Sequence, residues 1–563
     1  MHPLLNTSPG TTMLLLGNEA IVRGALEAGI RVGSTYPGTP SSEIGNNLFL
    51  IWQEEPSRFY FEFSTNEKVA MELAAAASAA GLRSLVCMKH VGLNVASDAL
   101  MTLAYIGTKG GMVIINADDP SMHSSQNEQD NRIFARFANL PMLEPRSPQE
   151  AKDMTVEAFR ISESLELPVI LRTTTRTAHV RGPVRFGDLP EASGDGHGEF
   201  HKDPGRWVPV PAVARARHKV LLEQMERCRS MAESSPFNRL SGSGSVAIVS
   251  SGVASNYVQD AISELDIGSR AKHLDLGFTH PLPRSTVVDV LRDVEHVLVV
   301  EELEPVLEDE IKAICHEEGL GTRIYGKATG HFSRTYEFTP RMVRSVLEKL
   351  FDVSSPIKRE DPDLSWVPEL PMRPPVLCKG CPHRETYNAV KEALKAIGKE
   401  ETAIYPTDIG CYTLGLLPPI NMADYLICMG SSVGSSCGFS VATRQKVISF
   451  IGDSTFFHSG ISPLVNAVHN GHKFCLVILD NSTTAMTGHQ PNPGITLKPS
   501  GYEKPTVSIE AVCRGCGVKT VVKINPYKKK ESVETLKDVL SKDELTVVIA
   551  EAPCILYAKR VKR

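Results

Sequence analysis

The chain has 563 residues, 42% of them hydrophobic and 22% charged, with 60 basic against 65 acidic side chains and a net charge of −5. That length exceeds one compact core and, at roughly 150 residues per domain, suggests about three to four domains. The slight acidic excess argues against a dedicated nucleic-acid binder, and no apolar run approaches the roughly 18 residues of a membrane span. Twelve cysteines are too sparse for a disulfide scaffold, so close pairs read as metal or redox sites.

The N-terminus has no basic leader, and its apolar stretch Met13–Leu16 stops at Gly17. A secretory signal is not expected, which makes the cytoplasm the expected compartment. From about residue 13 to 180, β-branched runs of strand length (RSLVCMKH, GGMVIINA, LPVILRTT) alternate with helical stretches. One of these is the alanine-rich NEKVAMELAAAASAAG; another, SPQEAKDMTVEAFRISES, offers Ser147 as N-cap and Glu150 as the capping-box partner. Alternation of this kind predicts a parallel sheet covered by helices. A stretch rich in Gly, Pro and Asp breaks the rhythm after Arg181 and leads into a helix through ARARHKVLLEQMERCRSMAES. A second α/β unit opens at SGSGSVAIVSSG, a proline-rich connector follows, and KVISFIGD, FCLVILDN and LTVVIAEA read as buried parallel strands of a third unit. The expected fold is therefore α/β, with three doubly wound parallel-sheet domains at 1–182, 245–352 and 374–563. A linker and helix at 183–244 and a linker at 353–373 join them.

The strongest chemical signal lies in the third unit. An apolar strand runs into Gly452-Asp453-Ser454, and the next ends at Asp480-Asn481-Ser482. Asp453 and Asn481 are 28 positions apart, enough for a crossover helix, so both polar ends are predicted at the carboxyl edge of one sheet. A carboxylate, an amide oxygen and a backbone carbonyl are hard donors suited to Mg²⁺, and Gly452 lets the chain approach a diphosphate closely. The pattern resembles the thiamine-diphosphate signature, with Ser454 and Asp480 as departures. Thiamine chemistry also requires a carboxylate that hydrogen-bonds the aminopyrimidine, and Glu67, opening the alanine-rich helix, is the candidate. Glu72 on the same helix is its competitor, and the alternative for Glu67 is a carboxylate that only stabilises a helix N-terminus.

YPGTPSSEI, STNEKVAMELAAAASAAG, MKHVGLNVASD, ADDPSMHSSQNEQDNR, CKGCPHR, DIGCYTLG and GDSTFFHSG with DNSTTAMTGHQ together resemble the thiamine-dependent α subunits of the indolepyruvate:ferredoxin oxidoreductases, over about residues 13–560. The resemblance implies a pyrimidine-binding, a transketolase-C-like and a diphosphate-binding domain. It implies Glu67 as the pyrimidine-activating group and Asp453, Asn481 and the Thr483 carbonyl as Mg²⁺ ligands. Thr39 falls at the position beside the substrate carboxylate. In the wider 2-oxoacid:ferredoxin oxidoreductase family a proximal [4Fe–4S] cluster is held by four cysteines, whose positions Cys378, Cys381, Cys411 and Cys554 match. A rival arrangement pairs Cys378/Cys381 with Cys513/Cys516 as a Cys₄ zinc site, whereas AVCRGCG also reads as a helix end whose cysteines simply pack.

The implied activity is oxidative decarboxylation of a 2-oxoacid, an arylpyruvate such as indolepyruvate, to acyl-coenzyme A and CO₂, with electrons leaving through the cluster. Implied partners are a γ-like (β) oxidoreductase subunit and an electron-acceptor protein, in a dimer of heterodimers. The sequence ends at YAKRVKR without the ferredoxin-like cysteine runs of the typical member, so either a partner subunit carries the later relay clusters or electrons leave the proximal cluster for a different acceptor. His90, His458 and His489 lie in the motifs as candidates to orient substrate or move protons, and His383 is expected to pack near the cluster. The alternatives are a non-oxidative thiamine decarboxylase or ligase with structural or zinc-binding cysteines, and a non-catalytic assembly subunit.

Overall fold

The structure is a computed structural model that describes residues 2–191, 197–357, 363, 365–369, 371, 374–495 and 505–561. It divides into two compact units, Met1–Pro362 and Asp363–Arg563.

In the first unit a seven-stranded sheet has the order Phe278–His280, Met142–Leu143, Val169–Thr174, Met112–Asp118, Ser84–Lys89, Val32–Thr35, Tyr60–Phe63. All neighbours run parallel except the edge strand Phe278–His280. Every residue of Met112–Asp118 is buried, which is why the sequence there shows a continuous apolar run rather than alternation. A five-stranded sheet, ordered Arg323–Tyr325, His296–Val300, Val246–Ser251, Ala271–Leu276, Asn238–Gly242, is parallel but for its last strand. The second unit is built on a four-stranded, all-parallel sheet: Ile448–Gly452, Cys475–Asp480, Thr546–Glu551, Thr520–Ile524. The α/β class with parallel sheets read from the sequence is thus the observed one.

The stretch expected as linker and helix from 183 to 244 holds that helix, Pro211–Glu233, and also strands that were not expected. Arg181–Arg185 pairs antiparallel with Thr12–Leu16, and its alternation of exposed and buried residues was hidden by a glycine and a proline. Asn238–Gly242 already belongs to the five-stranded sheet, ahead of the expected start at 245. Its burial pattern is mostly exposed, so no apolar signal marks it. The 353–373 connector lies partly outside the described residues. Helix Pro148–Leu165 is capped by Ser147, which accepts from Glu150 N, but Glu150 reaches back to the Arg146 N–H and guanidinium rather than to Ser147. No helix of the described residues is long and apolar enough to cross a membrane.

Candidate functional site

In the first unit the carboxyl ends of neighbouring parallel strands carry the candidates. Thr39 lies in the loop after Val32–Thr35, Glu67 follows Tyr60–Phe63, Lys89 ends the neighbouring strand Ser84–Lys89 and His90 opens the helix His90–Val95 that follows it. Asn66 caps the helix Glu67–Ala79 by accepting from Val69 N at 2.9 Å, and this places Glu67 on its first turn. The helix buries Glu67, Ala70, Met71, Ala74 and Ser78, one stripe at helical spacing. Glu67 is 5% exposed, whereas Glu72 is exposed and paired with Lys68. The glutamate packs against Gly92: a Cβ there would stand 2.7 Å from Glu67 Oε1. His90 is buried, with Nε2 3.2 Å from both the carbonyl and the side-chain oxygen of Asn127 and with Nδ1 unpartnered. Burial, reinforced by Lys89, holds His90 down at about 4, so it is neutral at physiological pH.

In the second unit Gly452 pairs with Leu479 across adjacent parallel strands. Asp453 and Asn481 therefore lie at one carboxyl edge, as the spacing predicts. Asp453 is 4% exposed. Its Oδ1 accepts from Ser454 N at 2.8 Å and its Oδ2 from Asn492 Nδ2 at 3.0 Å. Burial and the neighbouring Asp480 carboxyl push Asp453 up. Asp453 is thus a buried carboxyl with a second, half-buried carboxyl, Asp480, beside it, an arrangement that a divalent ion would stabilise, so the donor set fits Mg²⁺. Thr483 N donates to Asn481 Oδ1 at 3.2 Å, and Thr484 Oγ1 donates to Ser454 Oγ at 3.0 Å, so the two turns brace each other. His458 lies in a π-helical turn, Phe456–Gly460, with Nδ1 2.5 Å from Ser459 Oγ. Such turns often mark functional sites. His489 has a positive φ of 68° and stacks on Tyr557 at 5.5 Å.

His383 does more than pack near the cysteines. Its Nε2 accepts from Asn481 Nδ2 at 3.0 Å, and the Cys554 N–H donates to the Asn481 carbonyl at 2.9 Å. Burial lowers the imidazole to about 4. Cys381 N-caps the helix Pro382–Ala396, so the C-x-x-C segment and the late cysteine both abut the Asn481 turn. The Cys411 thiol is pushed up to about 12 by burial and then by Cys381, Cys554 and Cys378, placing the four sulfurs in one neighbourhood. Cys513 feels Cys516 instead and sits in the core against Thr520–Ile524 and its neighbours. Among the described residues no group of three His, Cys, Asp or Glu side chains closes on one ion.

Two residues escaped the sequence reading. Asp408, in the same DIGC turn as Cys411, accepts from Gly430 N at 2.6 Å and Ser432 N at 2.9 Å and so holds the start of the helix Ser431–Ala442. Lys89 closes a strand inside a quoted motif, where the cation among apolar residues was the available signal.

Residues 23–204 match the family described as pyruvate flavodoxin/ferredoxin oxidoreductase, thiamine diphosphate-binding, and residues 408–550 match the C-terminal TPP-binding domain of thiamine pyrophosphate enzymes. The indolepyruvate oxidoreductase subunit IorA of Methanothermobacter marburgensis is 50% identical over 566 aligned residues, covering 100% of this chain and 90% of that protein. Its counterpart from Pyrococcus abyssi is 46% identical, covering 98% of this chain and 86% of the relative. The 2-oxoglutarate synthase subunit KorA of Methanothermobacter thermautotrophicus is 25% identical over 51% of this chain and 86% of its own length. With relatives at this identity spanning its whole length, the chain belongs to the IorA family of indolepyruvate oxidoreductase subunits, thiamine-diphosphate-dependent enzymes of 2-oxoacid oxidation.

Proposed function

We propose that the chain is the thiamine-diphosphate subunit of an oxidoreductase that converts an arylpyruvate and coenzyme A to acyl-coenzyme A and CO₂. The observation that carries this reading is the Asp453–Asn481 edge: a buried carboxyl with the Asp480 carboxyl beside it, and the Asn481 amide oxygen held by Thr483 N on the adjoining turn. Asp453, Asn481 and Thr483 would hold Mg²⁺ and through it the diphosphate, while Gly452 and Ser454 line the turn. Bound there, thiamine diphosphate would supply the nucleophilic carbon and the electron sink that 2-oxoacid decarboxylation needs. Glu67 holds a proton for the pyrimidine ring, in a place dry enough to fix its geometry. Thr39 orients the substrate carboxylate. His90, neutral at working pH, hydrogen-bonds without carrying charge, and His458 and His489 border the diphosphate turn as groups that position substrate or move protons.

The clustering of Cys378, Cys381, Cys411 and Cys554 supports an oxidative outcome, because a [4Fe–4S] cluster held there would accept electrons singly. A γ-like (β) subunit and an electron-acceptor protein complete the enzyme, in a dimer of heterodimers. The test is an anaerobic assay of the purified complex with coenzyme A and an artificial acceptor, against indolepyruvate, phenylpyruvate, pyruvate and 2-oxoglutarate. Highest kcat/KM for the aryl acids supports the reading, and equal or better use of pyruvate or 2-oxoglutarate refutes the arylpyruvate assignment.

A further inference from the structure

Lys89, a cation at the carboxyl edge of the seven-stranded sheet, has no role so far. Lys89 ends the strand Ser84–Lys89, whose neighbours are Val32–Thr35, leading to the Thr39 loop, and Met112–Asp118, leading to Asp119. Its side chain runs beneath the loop so closely that a Cβ on Gly38 would stand 3.0 Å from both Lys89 Cγ and Cδ. The ammonium donates to the Ser124 carbonyl at 3.0 Å, and Ser124 Oγ in turn donates to the Thr39 carbonyl at 3.2 Å. Lys89, Ser124 and Thr39 thus form one connected patch.

The anions that face Lys89 are Asp119 and Glu67. Asp119 is occupied elsewhere, accepting from Ser124 N at 2.8 Å, Ser125 Oγ at 2.6 Å and Thr175 Oγ1 at 2.7 Å. Burial lowers Lys89 to about 8 despite these two carboxylates, which leaves it protonated at neutral pH. An ammonium carries three donors, and one of them goes to the Ser124 carbonyl; a carboxylate arriving from solution can take a charge-assisted hydrogen bond from another.

We propose that Lys89 binds the carboxylate of the 2-oxoacid substrate, with Ser124 and the Thr39 loop fixing its reach. The inference rests on the reading of the chain as a 2-oxoacid enzyme and adds the residue that recognises the acid. It is tested on the whole complex, loaded with Mg²⁺ and thiamine diphosphate. Lys89→Met should raise KM for an arylpyruvate about 10- to 100-fold, the worth of a charge-assisted hydrogen bond, with a smaller fall in kcat. Thiamine-diphosphate affinity, read by calorimetry, should not move, and Lys89→Arg should recover part of the KM. The unreactive probes 3-(indol-3-yl)propionate and its amide guard against a folding artefact: wild type should prefer the acid, and Lys89→Met should bind the two alike. Unchanged KM with the acid preference intact overturns the proposal, as does a loss of cofactor affinity in place of substrate affinity. If wild type turns over no 2-oxoacid, the functional reading falls and this inference with it; if only the Lys89 arms fail, the functional reading stands.

Discussion

Gly92→Ala should cripple turnover while leaving the fold nearly as stable as before. The added Cβ would stand 2.7 Å from Glu67 Oε1, 2.8 Å from its Cγ and 3.0 Å from its Cδ, where ordinary contact begins at 3.4 Å. The glutamate must therefore retreat by about 0.7 Å, the difference between 3.4 and 2.7 Å. All three atoms belong to a side chain, so backbone need not move, and the cost in stability should be about 1 kcal/mol, the low end for overpacking. Catalysis is less forgiving: productive geometries tolerate roughly 0.5 Å, and a misplacement of about 1 Å can cost about 100-fold. The expected kcat is lower by about 10- to 100-fold, with hydrogen exchange at the reacting thiazolium carbon slowed in parallel when followed by acid quench and NMR. Glu67→Gln sets the floor, because it keeps the shape but removes the acid. Wild-type exchange and kcat in Gly92→Ala, alongside a slow Glu67→Gln, would refute the claim that the placement of Glu67 against Gly92 matters.

Further outcomes follow from the second unit. Asp453→Ala should abolish Mg²⁺-dependent thiamine-diphosphate binding in calorimetry, and retained affinity would remove Asp453 from the metal site. His383→Leu frees the Asn481 amide to rotate and should weaken that binding about 10- to 100-fold, as loss of a ligand-orienting partner does; His383→Gln, which still offers an acceptor, should recover most of it. Cys411→Ala should lose iron, measured by metal analysis, and lose acceptor reduction, whereas Cys513→Ala should keep both. The reverse pattern would favour the zinc arrangement.

Much of this was legible in the sequence because the chemistry sits at strand ends. An apolar run that stops at Gly452-Asp453 and another that stops at Asp480-Asn481 fix a shared edge once both strands are parallel neighbours. The alanine-rich stretch likewise marked the helix that Glu67 opens, although its N-cap, Asn66, went unread. What the sequence hid were contacts between segments far apart in the chain. His383 and Asn481 are 98 residues apart, and no periodicity links an imidazole to the amide it orients. Lys89 was hidden for another reason: its significance lies in its link through Ser124 to the Thr39 loop, which joins segments 35 and 85 residues apart. The edge strands Arg181–Arg185 and Asn238–Gly242 were missed because edge pairing is satisfied by backbone, and their side chains carry little apolar signal.

Oxidative and non-oxidative decarboxylation are separated by the product and electron balance of the anaerobic complex supplied with indolepyruvate, coenzyme A and a one-electron acceptor. Oxidative turnover gives one CO₂, one acyl-coenzyme A and two reduced acceptors per 2-oxoacid consumed, with no aldehyde, and this is the expected result. CO₂ and aldehyde in equal amounts, with the acceptor still oxidised, would contradict it and identify a non-oxidative decarboxylase.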